Sequence, residues 1–317
     1  MFPKISVIIP AYNVANYILQ TLQSLQQQTL REFEALIIDD GSTDNTATIV
    51  QAFCHGDQRF QLLQKLNGGL SSARNWGMRH ATTDYLALLD GDDAYEPDKL
   101  ATHVSVLEAN STVGVVYSAS RIIRDNGCST AFQLSGRPIH PDPLLALLCK
   151  NFVGNGSNAV FRRCIVEQVG EFNEDLRSSE DVDYWLRIAA LRCWSFYRVP
   201  QALSLYRVRP SGLSFNVLQM QRSNEQVLED AYTRTPDIVG PMLPTARAYL
   251  YRLLARLSLT AGNVIEAKQF IRLSLESDAS IFWRDLRSLL TLVSVTLSPL
   301  SQLFIQRSLG TARDLQA

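Results

Sequence analysis

Four short stretches of this chain bring together residue types that can handle a charged substrate. Asp90-Gly91-Asp92-Asp93 sets three carboxylates within four residues, directly after an apolar run. Such a group repels itself unless a cation sits among its oxygens. Hard divalent ions such as Mg2+ or Mn2+ prefer oxygen ligands and often share them with phosphates. A solvated acidic turn ahead of the helix begun by Pro97 and Asp98 is the plainer reading. The position of the cluster at a strand end, with a second acidic strand end elsewhere, weighs against it. That second end is Asp39-Asp40-Gly41-Ser42-Thr43-Asp44. Ser42, Thr43 and Asp44 can cap the following helix, and a carboxylate at the strand tip can accept the imide N–H of a uracil ring. Asn67-Gly68-Gly69 precedes a helix that carries Arg74 one turn inside, where it can reach a phosphate or simply face solvent. Glu180-Asp181 opens another helical stretch, where an acidic pair complements the helix dipole or takes part in acid–base chemistry.

These residues need elements to position them. Ile5–Ile9, stopped by Pro10, then Phe33–Ile38, Phe60–Leu63, Tyr85–Leu89 and Val113–Tyr117 are short apolar runs that read as strands. Helical patterns over 17–27, 45–53, 71–80 and 97–108 separate them. Near-continuous apolar strands alternating with helices predict an α/β fold, a mainly parallel sheet with helices on both faces. Ligands of such sheets sit beyond the carboxyl ends of the strands, where both acidic clusters fall. Asp125–Pro143, rich in Gly, Pro and polar residues, reads as a loop over that edge. Glu180–Leu191 reads as a helix and Trp194–Arg207 as a strand. From about Gln219 the pattern changes. Tyr249, Leu253 and Leu257, then Gly262, then Val264, Ala267, Phe270 and Ile271 predict a helix, a glycine stop and a second helix. The expected organisation is an α/β domain over 1–218 and a C-terminal helical appendage over 219–317.

Composition narrows the classes. Of 317 residues, 46% are hydrophobic and 19% charged, enough for a sizeable core, and a net charge of -1 gives no bulk attraction for nucleic acid. Five cysteines, an odd number without C-x-x-C spacing, argue against a disulfide framework or a cysteine zinc site and fit a cytoplasmic setting. The opening MFPKISVIIP lacks the features of a signal peptide. No G-x-G-x-x-G follows the first strand and no phosphate-loop motif occurs, which argues against a dinucleotide cofactor and a P-loop NTPase. Ser288–Gln306 contains no charged residue and lies between Arg287 and Arg307. It is long enough to cross a bilayer, but its Ser and Thr content and Pro299 dilute it. Three readings stand: a spanning helix, a core helix packed on the 249–275 hairpin, or a membrane-surface element. In the last, Phe282, Trp283 and Phe304 lie at the interface and Arg284, Arg287 and Arg307 face anionic head groups.

Taken in order, ISVIIPAYN (5–13), IDDGSTDNT (38–46), NGGLSSARN (67–75), LDGDDAYEPDKL (89–100), the 161–189 stretch around RSSEDVDYW, and LYRVRPSGLS (205–214) resemble a family 2 glycosyltransferase of the GT-A fold. The resemblance covers about two thirds of the chain. It implies an inverting, metal-dependent transfer of a sugar from a nucleoside diphosphate donor, UDP favoured, to a hydroxyl acceptor. A lipid-linked saccharide in polysaccharide or glycolipid synthesis would be such an acceptor. Asp90-Gly91-Asp92 resembles the D-x-D motif, with Asp92 the direct ligand of Mn2+ or Mg2+ and Asp90 a contact to the ribose or the metal. Asp40 resembles the base-reading carboxylate, with Pro10, Ala11 and Tyr12 lining the nucleobase pocket. Asn67, Gly68 and Arg74 resemble donor contacts, and 154–162 the wall beside the donor sugar. Asp181 resembles the catalytic base, with Glu180 second. Where many members have Tyr-Arg-x-His-Pro, this chain has Arg209 in place of the histidine. An arginine cannot ligate the metal but can pair with a phosphate. Two other classes remain. A sugar-phosphate nucleotidyltransferase usually carries a glycine-rich basic loop where this chain has Ala11-Tyr12-Asn13-Val14. The retained Asp92 and Asp181 count against a non-catalytic nucleotide-sugar binder.

Overall fold

The computed structural model describes residues 2–134, 136–208 and 216–298, and the chain falls into two compact units, Met1–Gly212 and Leu213–Ala317.

In the first unit the elements run β1 (Ile5–Ala11), α1 (Ile18–Gln26), β2 (Phe33–Asp39), α2 (Thr46–Gly56), β3 (Phe60–Gln64), α3 (Leu70–His80), β4 (Tyr85–Leu88), β5 (Ala94–Tyr95) and α4 (Lys99–Ala109). They continue with β6 (Val113–Ile123), β7 (Ser129–Leu134), α5 (Pro143–Cys149), β8 (Val160–Arg162), α6 (Cys164–Val169), α7 (Glu180–Ala190) and β9 (Ser195–Arg207). The strands form one sheet in the order β3-β2-β1-β4-β8-β6-β9-β5, with β7 added on β6. β3, β2, β1 and β4 are mutually parallel, as are β6 and β9. β8 runs antiparallel between β4 and β6 and makes the sheet mixed.

Both faces of the parallel half are covered. Ile5, Val7 and Ile9 of β1 pack in the cluster that holds Ile18, Leu22, Leu25, Val50, Leu100 and Val104 from α1, α2 and α4. The alternate residues Ile8 and Ile38 meet α3 at Gly77, where a Cβ would lie 2.5 Å from Ile8 and 2.8 Å from Ile38. That close approach seats α3 on the sheet, and Arg74 lies one turn before it.

Two strand boundaries differ from expectation. β1 does not stop at Pro10 but runs on to Ala11, with Pro10 in register with Ile38. Pairing with β4 ends at Ile8–Leu88, so the missing proline N–H removes no ladder bond on that side, and the Pro10 carbonyl accepts from Gly91 N–H at 3.1 Å. The 125–143 segment is not all loop either. Asn126-Gly127 turns the chain so that β7 pairs antiparallel with β6, a hairpin that the Asn-Gly pair encodes.

The second unit is helical: α8 (Val217–Arg234), α9 (Pro236–Val239), α10 (Leu243–Thr260), α11 (Val264–Asp278) and α12 (Ile281–Arg284), then a helical stretch over 286–298. The expected helix, glycine and helix are α10 and α11, with the Asn263 side chain capping α11 by accepting from Glu266 N–H. Tyr249, Leu250, Leu254, Ala267, Phe270 and Ile271 are buried here. Tyr251 donates to Glu225 Oε1 at 2.6 Å and ties α10 to α8. Among the described residues no helix is long and apolar enough to cross a membrane.

Candidate active site

β1, β2 and β4 end side by side. Asp40 N–H donates to Ala11 O at 2.9 Å, Leu89 N–H to Ile8 O at 3.0 Å and Gly91 N–H to Pro10 O at 3.1 Å. Pro10, Ala11, Tyr12, Asp39, Asp40 and Asp90–Asp93 therefore share one edge, beyond the carboxyl ends of parallel strands. Tyr12 is 51% exposed there. Asn13, at φ +52°, joins two of the loops: its side-chain oxygen accepts from Thr43 N–H at 2.8 Å.

The Asp40 carboxylate is buried and both its oxygens are engaged. It accepts from Gly68 N–H at 3.0 Å, Gly69 N–H at 2.7 Å and Lys65 Nζ at 2.7 Å, while Asn67 Nδ2 donates to its backbone carbonyl. The sequence suggested a group presented to a nucleobase. In this structure Asp40 shapes the 65–69 turn, so Asn67 and Gly68 are placed by it.

Arg74 also has partners the sequence did not indicate. Its side chain is 1% exposed and forms a fork, Nη2 to Asp90 Oδ1 at 2.8 Å and Nη1 to Glu180 Oε1 at 2.6 Å. The guanidinium lies 5.5 Å from the Phe172 ring centroid. Asn75, next in sequence, clamps the Phe172 backbone, donating to its carbonyl at 3.0 Å and accepting from its N–H at 2.8 Å. Gly156 closes the fork from the other side: a Cβ there would lie 2.2 Å from Arg74 Nη2. The motif Ala73-Arg74-Asn75 thus links the D-x-D loop to the start of α7.

The acidic loop is held from behind. Ser157 Oγ accepts from Asp90 N–H at 2.9 Å and donates to Asp93 Oδ2. Arg207 N–H donates to Asp93 Oδ1 at 2.7 Å, and its Nε donates to the Asp92 carbonyl at 2.7 Å. Asp93 is buried, and burial, then the Asp92 and Asp90 charges, hold its carboxyl well above the usual range. Carboxylates are thus crowded in this loop closely enough to disfavour the ionised form of the buried one. Among the described residues no three His, Cys, Asp or Glu side chains converge on one point. Asp90 and Asp92, two half-buried oxygen donors of this loop, fit a divalent cation that completes its shell with diphosphate oxygens and water, rather than one caged by protein alone.

Asp181 sits in the first turn of α7, after Ser179 in the left-handed region at φ +60°, an uncommon conformation for a residue other than glycine. Packing around it desolvates the carboxyl although part of its surface reaches solvent. Burial, and then the Glu180 charge, push it up to about 7, with Arg74 acting in the opposite sense. Asn151 Nδ2 donates to its Oδ2 at 3.0 Å. Arg209 lies outside the described residues.

The residues brought together are thus Arg74, Asp90, Glu180 and Asp181. Sequence reading did not single out Lys65, Asn151 or Arg207, and it named Gly156 and Ser157 only within the 154–162 wall. Arg207 stands in the quoted LYRVRPSGLS and could have been suspected. Nothing local marks Asn151, which is 30 residues from its partner.

Residues 6–170 match the family model described as Glycosyl transferase family 2. An uncharacterized glycosyltransferase from Rickettsia typhi is 31% identical over 228 residues, 70% of each chain. The chain spans only 30–38% of the length of the first curated relatives that it matches. Among solved structures, a mannosyltransferase from Pyrobaculum calidifontis in complex with GDP-Man and Mn2+ superposes with a TM-score of 0.61, at 21% identity, over 95% of this chain and 88% of that one. S. aureus TarS 1-349 in complex with UDP-GlcNAc does so with a TM-score of 0.55, at 18% identity, over 87% and 91%. The mixed sheet and its helices are those of the GT-A fold. With the family model spanning half of its residues and a relative of comparable length at this identity, the chain belongs to glycosyl transferase family 2.

Proposed function

We propose that this protein transfers a sugar from a nucleoside diphosphate donor, UDP favoured, to a hydroxyl acceptor with inversion at the anomeric carbon. The observation that carries this reading is Asp181, a desolvated carboxyl displaced to about 7 and linked through Glu180 and Arg74 to the D-x-D loop. A hydroxyl is a poor nucleophile at neutral pH, and a carboxylate with an affinity near neutrality is suited to take its proton as it attacks. Asp92 and Asp90 would hold Mn2+ or Mg2+ against the diphosphate, where the cation would neutralise the charge of the leaving group. Pro10, Ala11 and Tyr12, with Asn67 and Gly68 as positioned by Asp40, would form the wall for the nucleotide, and Arg209 would pair with phosphate. The complexes of fold relatives with UDP-GlcNAc and with GDP-Man and Mn2+ support a nucleotide-sugar donor. The acceptor class we infer is a saccharide, free or lipid-linked, reached at the cytoplasmic face.

The direct test incubates the protein with Mn2+, an oligosaccharide acceptor mixture and UDP-, dTDP- and GDP-sugars, and assays the product. Release of nucleoside diphosphate is expected. Formation of nucleoside triphosphate and sugar 1-phosphate when pyrophosphate is added would assign nucleotidyl transfer instead, and failure of all three nucleotides to bind by calorimetry would remove the donor assignment.

Replacing Asp92 should act on binding. Asp92→Ala is expected to weaken Mn2+-dependent UDP affinity by about 100-fold or more, since one of two carboxylates that would hold the cation is gone. Calorimetry with and without Mn2+ measures it. An unchanged metal-dependent affinity would place the cation elsewhere.

A further inference from the structure

The helical stretch over 286–298 leaves a row of large apolar side chains exposed. Its buried side chains are Ser288, Thr291 and Val295, while Leu286, Leu290, Val293 and Leu297 are 68%, 56%, 42% and 52% exposed. Those four recur at spacings of four, three and four, which places them on one stripe of a helix. Trp283, three residues before Leu286, extends the stripe and is 85% exposed. Phe282, which the sequence suggested for an interface, is buried, while Phe304 and Arg307 lie outside the described residues. An amphipathic helix of a free-standing unit would turn the leucines inward. Here Ser288, Thr291 and Val295 pack, with Leu289 and Leu292 half-buried, and the stripe of Leu286, Leu290, Val293 and Leu297 is left to meet something else.

We propose that this face is an interfacial membrane-binding surface, lying along an anionic bilayer with Trp283 at the head-group level. Charge selects the bilayer over a second copy of the chain. At its start Arg284 and Arg287 are exposed, whereas Asp285 between them is half-buried and turned to the helix, where it accepts from Ser288 N–H and Oγ; no further charged residue follows up to 298. In this unit the ion pairs among described residues join Arg247 to Glu225 and Glu229, and Arg272 to Glu276; Arg284 and Arg287 belong to none of them. Cations at one end of an apolar stripe with an exposed tryptophan match an anionic head-group layer over an acyl layer. A helix pairing with its copy would instead be expected to carry charges of both signs along the stripe. The hydroxyls that would face lipid are already satisfied: Ser294 Oγ donates to Leu290 O at 2.7 Å and Thr296 Oγ1 to Leu292 O at 3.0 Å. Their transfer out of water leaves no unpaired donor. The surface would hold the protein at a membrane without a spanning segment.

The test is vesicle sedimentation of the full chain, without donor or acceptor, so its result is independent of the transfer reading. Phosphatidylcholine vesicles containing half phosphatidylglycerol should bind the protein about tenfold or more better than phosphatidylcholine alone, and less well as salt is raised. Binding should shift tryptophan emission to the blue, and Trp283→Phe should remove that shift. The double substitution Leu290→Gln with Val293→Gln should lower partitioning by about tenfold at an unchanged melting temperature. Absence of binding by the intact protein would overturn the proposal, as would equal partitioning of the double variant. A dimer that the double variant dissociates, without vesicle binding, would assign the face to a second copy.

Discussion

Asp181→Asn is expected to lower turnover by about 100- to 10,000-fold while leaving donor affinity within about twofold. The amide keeps the size of the side chain and can still accept from Asn151 Nδ2, which now lies 3.0 Å from Asp181 Oδ2. What it cannot do is accept the acceptor's proton. The base works only when ionised, and burial with the Glu180 charge displaces its carboxyl to about 7. Wild-type kcat should therefore rise with pH through that region and level off above it, and the residual activity of the variant should lack that limb. Near wild-type turnover in Asp181→Asn would remove the base assignment. Loss of donor binding as well would make the residue positional.

The same displacement has a consequence for stability, with a definite sign. The folded state holds the Asp181 proton more tightly than the unfolded chain does, so stability is lost as pH rises from about 4 to about 7. The loss amounts to at most about 4 kcal/mol once both states are ionised. Asp181→Asn removes the ionisation. The variant should melt higher than the wild type at about pH 8, and the difference should shrink towards about pH 4. A protein that gains activity on deprotonation while losing stability there carries strain at a working site.

The parts of the site that local sequence encodes were legible. Apolar runs ending in Asp39-Asp40 and Asp90–Asp93 mark the carboxyl ends of β2 and β4, and parallel pairing with β1 brings them to one edge. The rest depends on tertiary contacts without a local signature. β8 has three residues, too few for a periodic signal, yet it sits between β4 and β6 and reverses direction in the sheet. Its preceding loop supplies Gly156 and Ser157. Asp40 shows the converse limit. Its position was read correctly, but a strand-end carboxylate can serve a ligand or a neighbouring loop, and only the distances to Gly68, Gly69 and Lys65 reveal the loop partners. Arg74 is a similar case: from sequence it is a cation near a helix start, and only the fold places two carboxylates around it.

That placement makes Arg74 the second site of large effect. Arg74→Ala is expected to destabilise the protein, without any donor present, by about 3 kcal/mol, because it leaves the buried Glu180 and the half-buried Asp90 without their cation. Where that variant fails to fold, Arg74→Lys tests the same idea. A lysine keeps the charge but lacks the planar fork, so it can serve one carboxylate well but not both, and kcat/KM should fall by about 10- to 100-fold with a lowered melting temperature. Gly156→Ala should act similarly, since its methyl would occupy the place of Nη2. A residue whose task was to contact phosphate would behave differently: its loss would raise KM, and the donor-free melting temperature would stay unchanged. The bridging role instead predicts that Glu180→Gln, which removes one of the two carboxylates, costs less in the Arg74→Ala background than in the wild type. The coupling should persist at high salt, because buried charges are poorly screened. Additive effects of the two substitutions would show that the fork does not join the acidic loop to α7.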